Sequence, residues 1–153
     1  MKIENEFIPY DQALALKELG FRESCFAYYN NHSPKNNHQR GFIISQHSVQ
    51  DHNEENEGDN LICSAPLYQQ AFRWFKEKYK LMSCITPCSD GEYIFTLYDL
   101  NKCDLEVFVE DIEIMESEDS YEFFEEAELE CLKKLIEIVK LSHKTATLWM
   151  QNL

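Results

Sequence analysis

The sequence predicts an α+β fold, an antiparallel sheet with three helices packed mainly on one face. Apolar residues recur at helical spacing in three segments, and five short segments have the alternation or the aromatic and β-branched content of strands. Their order is helix, two strands, helix, three strands, helix. A length of 153 residues and a hydrophobic content of 44% exclude a wholly disordered chain, so we expect a single domain over residues 1–153.

Three helices are predicted from periodicity and end signals. The first covers 10–19, where Gly20 is a natural C-terminal stop. The second covers 65–80, because Pro66 in a first turn sacrifices no hydrogen bond. The third covers 121–143, with glutamates early and lysines late, as the helix dipole favours. Its expected core stripe consists of Phe124, Ala127, Cys131, Leu135 and Ile138, supported by Leu132, Ile136 and Val139.

Five strands are predicted, at 25–29, 41–44, 82–88, 93–99 and 105–115. The third and fourth flank Ser89-Asp90-Gly91, which suits a hairpin turn. In the last strand the alternation changes phase around Asp111, which predicts a bulge or a strand end. Polar sequence at about 30–40 and 46–60 predicts mobile loops.

Charge is distributed unevenly. The chain has 28 acidic and 14 basic residues, a formal charge of −14. Residues 104–130 hold thirteen of the acids and no base, so the rest of the chain is close to neutral. Such a balance argues against binding nucleic-acid phosphate or anionic lipid directly. No apolar run has the length of a membrane span and the start of the chain is unlike a signal peptide, so we expect a cytoplasmic protein of the host cell.

Motifs of enzymes, cofactors and metals are missing from the sequence. The four glycines are far apart, and no nucleophile-elbow, zinc-protease or deaminase pattern occurs. The six cysteines form no CxxC pair, so we expect buried free thiols and no metal. We therefore predict a protein that is not an enzyme and takes no cofactor. The alternative is an enzyme with a Cys–His pair brought together by the fold, which requires one thiol of lowered pKa.

The acidic segment is the main candidate for partner binding. The predicted contact residues are Glu106, Glu110, Glu113, Glu116, Glu118, Asp119 and Glu122, with Phe108 and Tyr121 as apolar anchors. Same-face side chains on a strand are about 7 Å apart, close to the spacing of phosphates, so the segment could act as a nucleic-acid mimic. The alternative is structural, since acids keep an edge strand soluble and complement a helix N-terminus.

A second candidate surface is basic and aromatic. Arg73, Trp74, Lys76 and Lys80 lie together on the second helix. They could contact nucleic acid or an acidic partner. Alternatively, these bases simply offset the acidic segment.

Three helical segments resemble a family of small, uncharacterised proteins of phage and prophage type. They read IPYDQALALKELGF (8–21), APLYQQAFRWFKEKY (65–79) and EEAELECLKKLIEIVK (125–140). The resemblance spans most of the chain, and residues 30–60 and 104–119 are where it is expected to depart. It carries over no catalytic residue. It implies a mobile-element origin, and small acidic phage proteins often bind host machinery, anti-CRISPR inhibitors among them.

These observations predict a non-enzymatic inhibitor or modulator that works by protein–protein interaction. The expected partner is a basic, nucleic-acid-handling host defence protein such as an RNA-guided nuclease. The acidic face is not expected to bind nucleic acid, and no membrane contact is expected. The alternative is a phage housekeeping or structural factor that acts through homo-oligomerisation or assembly.

Overall fold

A computed structural model of the protein describes residues 3–31, 41–45, 49–53, 61–102 and 112–151, with side chains as far as residue 145. These residues form three α-helices and two three-stranded antiparallel sheets, so the predicted α+β class is confirmed. The strands divide between two sheets, where one sheet was expected. Contacts group the chain into two compact units, Met1–Gln70 and Ala71–Leu153. Compact units also occur within single domains, so the predicted single domain stays a prediction.

The first unit combines one helix with one sheet. After a 3-10 helix (Ile3–Glu6) come α1 (Tyr10–Glu18), β1 (Ala27–Asn30), β2 (Gly41–Ile44) and β3 (Leu61–Ala65). The strand order is β2-β1-β3, and α1 lies against β3. The helix buries Ala13 and Leu16 and stops at Gly20, whose φ of 85° is left-handed. The predicted first helix and the hairpin of β1 with β2 are confirmed.

Strand β3 was not predicted from the sequence. Residues 61–63 were assigned to no element, and the second helix was expected to start near residue 65. Proline disfavours helical backbone at the residue before it, so Pro66 keeps Ala65 extended. Ala65 accordingly pairs with Ala27 on β1, and the helix starts only at Tyr68. The expected loops at 30–40 and 46–60 fall mostly outside the described residues.

A buried polar cluster holds residues 49–53 in the first unit. The Asn53 amide donates to the Phe21 carbonyl oxygen at 2.8 Å and accepts from the Ser64 backbone N–H at 3.0 Å. The Ser64 hydroxyl accepts from the His52 backbone N–H at 3.1 Å. The His52 ring is 97% buried, 4.6 Å from the Tyr28 ring, and its Nε2 has no hydrogen-bond partner in the described structure. A neutral imidazole is thus built into this core.

The second unit packs a long helix on the other sheet. It contains α2 (Tyr68–Tyr79), whose first turn belongs to the first unit, then β4 (Leu81–Pro87), β5 (Tyr93–Asp99), a 3-10 helix (Leu100–Lys102), β6 (Glu113–Glu116) and α3 (Phe124–Gln151). The strand order is β4-β5-β6, and α3 contacts β4 and β5. Ala127, Cys131, Leu132 and Leu135 are fully buried, as the helical stripe predicts. None of the helices described here is long and apolar enough to cross a membrane.

Strand β6 covers Glu113–Glu116. The strand expected at 105–115 is wrong at Ile112, which has helical backbone directly before β6, and residues 105–111, with the expected phase change near Asp111, lie outside the described residues. A register shift does occur between Leu97 and Tyr98 of β5, opposite Ile114. This bulge decides which way the β6 side chains point, as described below.

Helix α2 ends on an unfavourable residue. Lys80 follows its last turn with a φ of 59°, a conformation that glycine adopts without cost. The carbonyl oxygen of Lys80 accepts from the Leu100 N–H at 2.8 Å, which holds the backbone in place. The chain therefore tolerates a strained residue at this helix end.

We predict that Lys80→Gly stabilises the protein by about 0.5–1 kcal/mol, because it relieves the left-handed lysine. Chemical denaturation with circular dichroism measures the change. Lys76→Gly, an exposed change in the last turns of the same helix, is the matched control and should destabilise by about 1 kcal/mol. Equal destabilisation by both variants would contradict the prediction.

We predict that His52 makes stability fall as the pH is lowered. Burial depresses the pKa of His52, against the opposing effects of a hydrogen bond to the Cys25 backbone and the charge of Asp51. The unfolded chain, with a histidine pKa of about 6.5, then binds the proton first. The free energy of unfolding is therefore unaffected by His52 protonation above pH 6.5. Below pH 6.5 it declines, by at most about 1.4 kcal/mol per pH unit.

Denaturation at pH 7.5, 6.5 and 5.5 tests this prediction with His52→Phe, which keeps an aromatic ring beside Tyr28. As the pH falls, the wild type should lose more stability than His52→Phe, so the free energy of unfolding of the variant should rise relative to that of the wild type. His143→Phe, at an exposed position, should keep the wild-type pH dependence. A difference that does not change with pH would refute the role of His52.

Candidate functional site

The second unit carries seven exposed carboxylates between residues 113 and 126, here called the acidic surface. Its members are Glu113, Glu116, Glu118, Asp119, Glu122, Glu125 and Glu126, all solvent-exposed. The ion pairs found in the described part of the chain involve Glu130 and Glu137 and none of these seven. The five described members of the predicted acidic set are thus all exposed, two of them on the edge strand β6 and three in the segment between β6 and α3. Glu106, Glu110 and Phe108 lie outside the described residues.

The bulge in β6 aligns two of these carboxylates. Glu113 pairs with Tyr98 and Glu116 pairs with Thr96, and residues 96 and 98 of β5 share one face of the sheet. Directly paired residues lie on the same face, so Glu113 and Glu116 do too, despite their odd spacing in sequence. Two strand rises separate them, about 7 Å. This is the spacing that the nucleic-acid mimic hypothesis requires.

Backbone hydrogen bonds fix the loop that continues the acidic surface. Ser117 donates its N–H to the Phe95 carbonyl oxygen at 2.8 Å, and its buried hydroxyl accepts from the Phe95 N–H at 3.2 Å. Four residues later, Tyr121 and Tyr93 exchange two backbone bonds of 2.8 Å each. Glu118 and Asp119 are therefore held between two anchor points on β5.

The helix start gives part of the acidic surface a structural role. Glu125 and Glu126 lie in the first turn of α3, where negative charge complements the helix dipole by about 0.3–1 kcal/mol each. Farther along the helix, Glu130 pairs with Lys133 at 2.6 Å and Glu137 with Lys134 at 2.8 Å, and such exposed pairs contribute little. The dipole accounts for two of the seven carboxylates and leaves the strand and loop members unexplained.

Tyr121, a predicted anchor, is half-buried. Its ring stacks on Phe95 with centroids 6.1 Å apart and planes 20° apart. Burial, followed by the charges of Glu130 and Asp119, raises the pKa of the Tyr121 phenol. The phenol therefore stays protonated and presents a hydroxyl among carboxylates. It is as much a part of the scaffold as of the exposed surface.

Two exposed aromatic residues were missed by the sequence analysis. Phe123 is 54% exposed, and Phe124, expected in the core stripe of the third helix, is 42% exposed. Phe124 meets Tyr93, the first residue of β5, edge-on at 5.7 Å, so its ring lies at the end of the sheet and not over it. The core stripe therefore begins at Ala127. An aromatic pair surrounded by glutamates was the available signal in the sequence.

A cleft of about 340 Å³ is formed by residues close in sequence to this aromatic pair. Its lining consists of Asp119, Tyr121, Glu126, Leu129 and Glu130. Phe123 lies one helical turn before Glu126, and its carbonyl oxygen accepts from the Glu126 N–H at 3.2 Å. The cleft thus combines three carboxylates, of which Glu130 already pairs with Lys133, with one phenol and one aliphatic side chain. The exposed Phe123 is within three residues of Tyr121 and Glu126 in the sequence.

The second candidate surface has no exposed aromatic ring. Arg73, Lys76 and Lys80 are exposed as expected, but Trp74 is buried to 94%. Its indole packs edge-on against Phe75 and Tyr79 at 5.1 and 5.2 Å, with the Lys78 ammonium 4.7 Å from the ring centroid. Base stacking on Trp74 is therefore not available on this face.

Two of the buried thiols in the described residues have a pKa shift opposite to that of a catalytic nucleophile. The five described cysteines form no disulfide, and Cys25, Cys63 and Cys131 are buried while Cys84 and Cys88 are partly exposed. Burial raises the pKa of Cys25 to about 12, against weaker opposing hydrogen bonds, and raises that of Cys131 to about 12. A nucleophilic cysteine needs the opposite shift. The absence of enzymatic activity stays a prediction.

Comparison with known proteins gives no relative, since no family model, curated protein or solved structure matches the chain.

We predict that native-state alkylation with iodoacetamide modifies Cys84 and Cys88 before Cys25, Cys63 and Cys131, because burial blocks the last three. Mass spectrometry of time points gives the order. The denatured chain, in which all thiols should react at similar rates, is the control. Fastest reaction at Cys25 or Cys131 would contradict the prediction and favour the Cys–His enzyme.

Proposed function

We propose that this chain is a non-enzymatic binding protein of phage or prophage type that engages a basic, nucleic-acid-handling host protein. An RNA-guided nuclease of a defence system is the partner that this proposal favours, in the manner of an anti-CRISPR inhibitor. The phage-type origin rests on the sequences of the three helices. The class of partner rests on charge.

The observation that carries the proposal is the exposure of all seven carboxylates of the acidic surface, free of described ion pairs. Carboxylates placed this way are available to meet cations of another molecule. They also create a field that repels nucleic acid and attracts a protein whose own site is built for phosphate. Complementary charge of this kind mainly raises the association rate.

The alignment of Glu113 and Glu116 supports mimicry of a nucleic-acid strand. Their spacing of about 7 Å repeats that of successive phosphates. The loop anchored at Ser117 and Tyr121 extends the charge from the strand towards the helix. A groove that binds a phosphate backbone would find a comparable row of negative charge here.

A second candidate function, self-assembly, is favoured by exposed apolar residues in the first unit. Phe26, Ile44 and Val49 are 51%, 38% and 48% exposed. The Ser45 N–H bonds to the Phe26 carbonyl oxygen, and Cys25 bridges to Gln50, so the three side chains belong to one end of the β1–β2 hairpin. Sedimentation tests this function. An oligomer of the wild type that is insensitive to salt and is dissociated by Phe26→Ser would support self-assembly, whereas monomers of both the wild type and Phe26→Ser would refute it.

The proposed function is tested by pull-down with a charge-neutralised variant. Glu116→Gln, Glu118→Gln, Asp119→Asn and Glu122→Gln are combined in one chain. Four surface contacts at roughly 0.5 kcal/mol each total about 2 kcal/mol, so partner affinity should fall about 30-fold. Immobilised wild type should retain a basic host protein that elutes with salt, and the variant should not.

The matched control removes four exposed acids from the first unit, through Glu4→Gln, Glu6→Gln, Asp11→Asn and Glu23→Gln. It has the same net charge as the variant and should bind like wild type. Equal losses of partner affinity in both chains would show that binding depends only on net charge. Recovery of no basic partner, or undiminished binding by the variant, would refute the proposal.

A further inference from the structure

The exposed aromatic pair is the feature that the charge argument leaves unexplained. Phe123 and Phe124 expose half or nearly half of their surface at a point where carboxylates surround them. Solubility and helix capping account for acids, but neither accounts for two adjacent aromatic rings in water. Exposed aromatic side chains of this kind are typical anchors of protein interfaces.

The acidic residues around Phe123 and Phe124 indicate the charge of the protein segment that would cover them. Glu122, Glu125 and Glu126 are the exposed neighbours of this pair in sequence, and residues 103–130 contain no basic residue. An acidic or nucleic-acid partner is repelled at this position. The occupant must therefore carry cations close to apolar groups.

The side chains that line the cleft favour a guanidinium over an ammonium. Its lining includes the Asp119 and Glu126 carboxylates, the Tyr121 phenol and the Leu129 side chain, together with Glu130, which already pairs with Lys133. A guanidinium is planar, offers five donors and stacks on aromatic rings, so it can meet two carboxylates and a phenol at once. An ammonium is a compact, strongly hydrated charge that cannot satisfy this set equally well.

We propose that the partner docks an arginine in this cleft and packs the apolar residues beside that arginine on Phe123 and Phe124. The inference deepens the proposed function and rests on it, since it names the chemistry of the partner segment that the acidic surface attracts. Charge brings the segment in, and the aromatic pair with the cleft selects arginine and aliphatic neighbours.

Peptide binding to the isolated 153-residue chain tests the inference. Three ten-residue probes alternate Arg with Leu, Lys with Leu, and Arg with Ser, so that they carry equal charge. Calorimetry at 150 mM salt should give the tightest binding for the Arg–Leu peptide. Replacement of Arg by Lys, or of Leu by Ser, should each weaken binding at least about fivefold.

Binding of the same peptides to variants shows which residues select Arg over Lys and which select Leu over Ser. Phe123→Ser with Phe124→Ser should abolish the preference for Leu and leave that for Arg, whereas Asp119→Asn with Glu126→Gln should do the reverse. Phe26→Ser, a matched exposed phenylalanine in the first unit, should change neither preference. Thermal melts check that each variant is folded, as the exposure of the four positions predicts.

The outcomes separate this inference from the proposed function. Equal binding of all three peptides, with a lysate partner still retained by wild type, would overturn the arginine-and-aromatic site and leave the charge-driven function in place. Retention of no basic partner from the lysate would defeat the proposed function itself. Preferences that survive the Phe and acid variants would place the selective site elsewhere and also overturn the inference.

Discussion

The second compact unit depends on one packing constraint: the apolar stripe of α3 has to cover β4 and β5. Ala127, Cys131 and Leu135 lose all their accessible surface in this contact, as does Leu97 on β5. A helix fixes the direction of every side chain relative to its neighbours. Once the stripe is buried, the early glutamates of α3 have to face water. The exposure of these acids is thus a consequence of core packing.

Backbone pairing has the same effect on the strand and the loop. Tyr93 and Phe95 of β5 hold Tyr121 and Ser117 by direct hydrogen bonds, and the bulge opposite Tyr98 turns Glu113 and Glu116 to one side. Mutually repelling carboxylates would otherwise spread apart. Because folding gathers them, a partner does not have to order them on binding, which favours affinity. The aromatic pair at the start of α3 lies at the end of the same rigid frame.

The sequence predicted the parts of the fold that follow from local pattern. The third helix, the β4–β5 hairpin and the exposed charge all come from periodicity, turn chemistry and composition. Strand β3 escaped prediction because five residues before Pro66 have too short a pattern, and their strand character comes from pairing with β1. Phe124 has the helical spacing of the core stripe. The position at which the sheet ends is a tertiary property, however, and helical spacing does not predict it.

The five strand and loop acids of the acidic surface, Glu113, Glu116, Glu118, Asp119 and Glu122, lie outside the buried core and outside the first turn of α3, and this has an evolutionary consequence. Substitutions at such exposed positions usually change stability by less than about 0.5 kcal/mol. Selection can therefore alter the number and placement of these charges while the stripe of α3 stays fixed. A surface so separated from its scaffold can follow a partner that is itself changing, without loss of the fold.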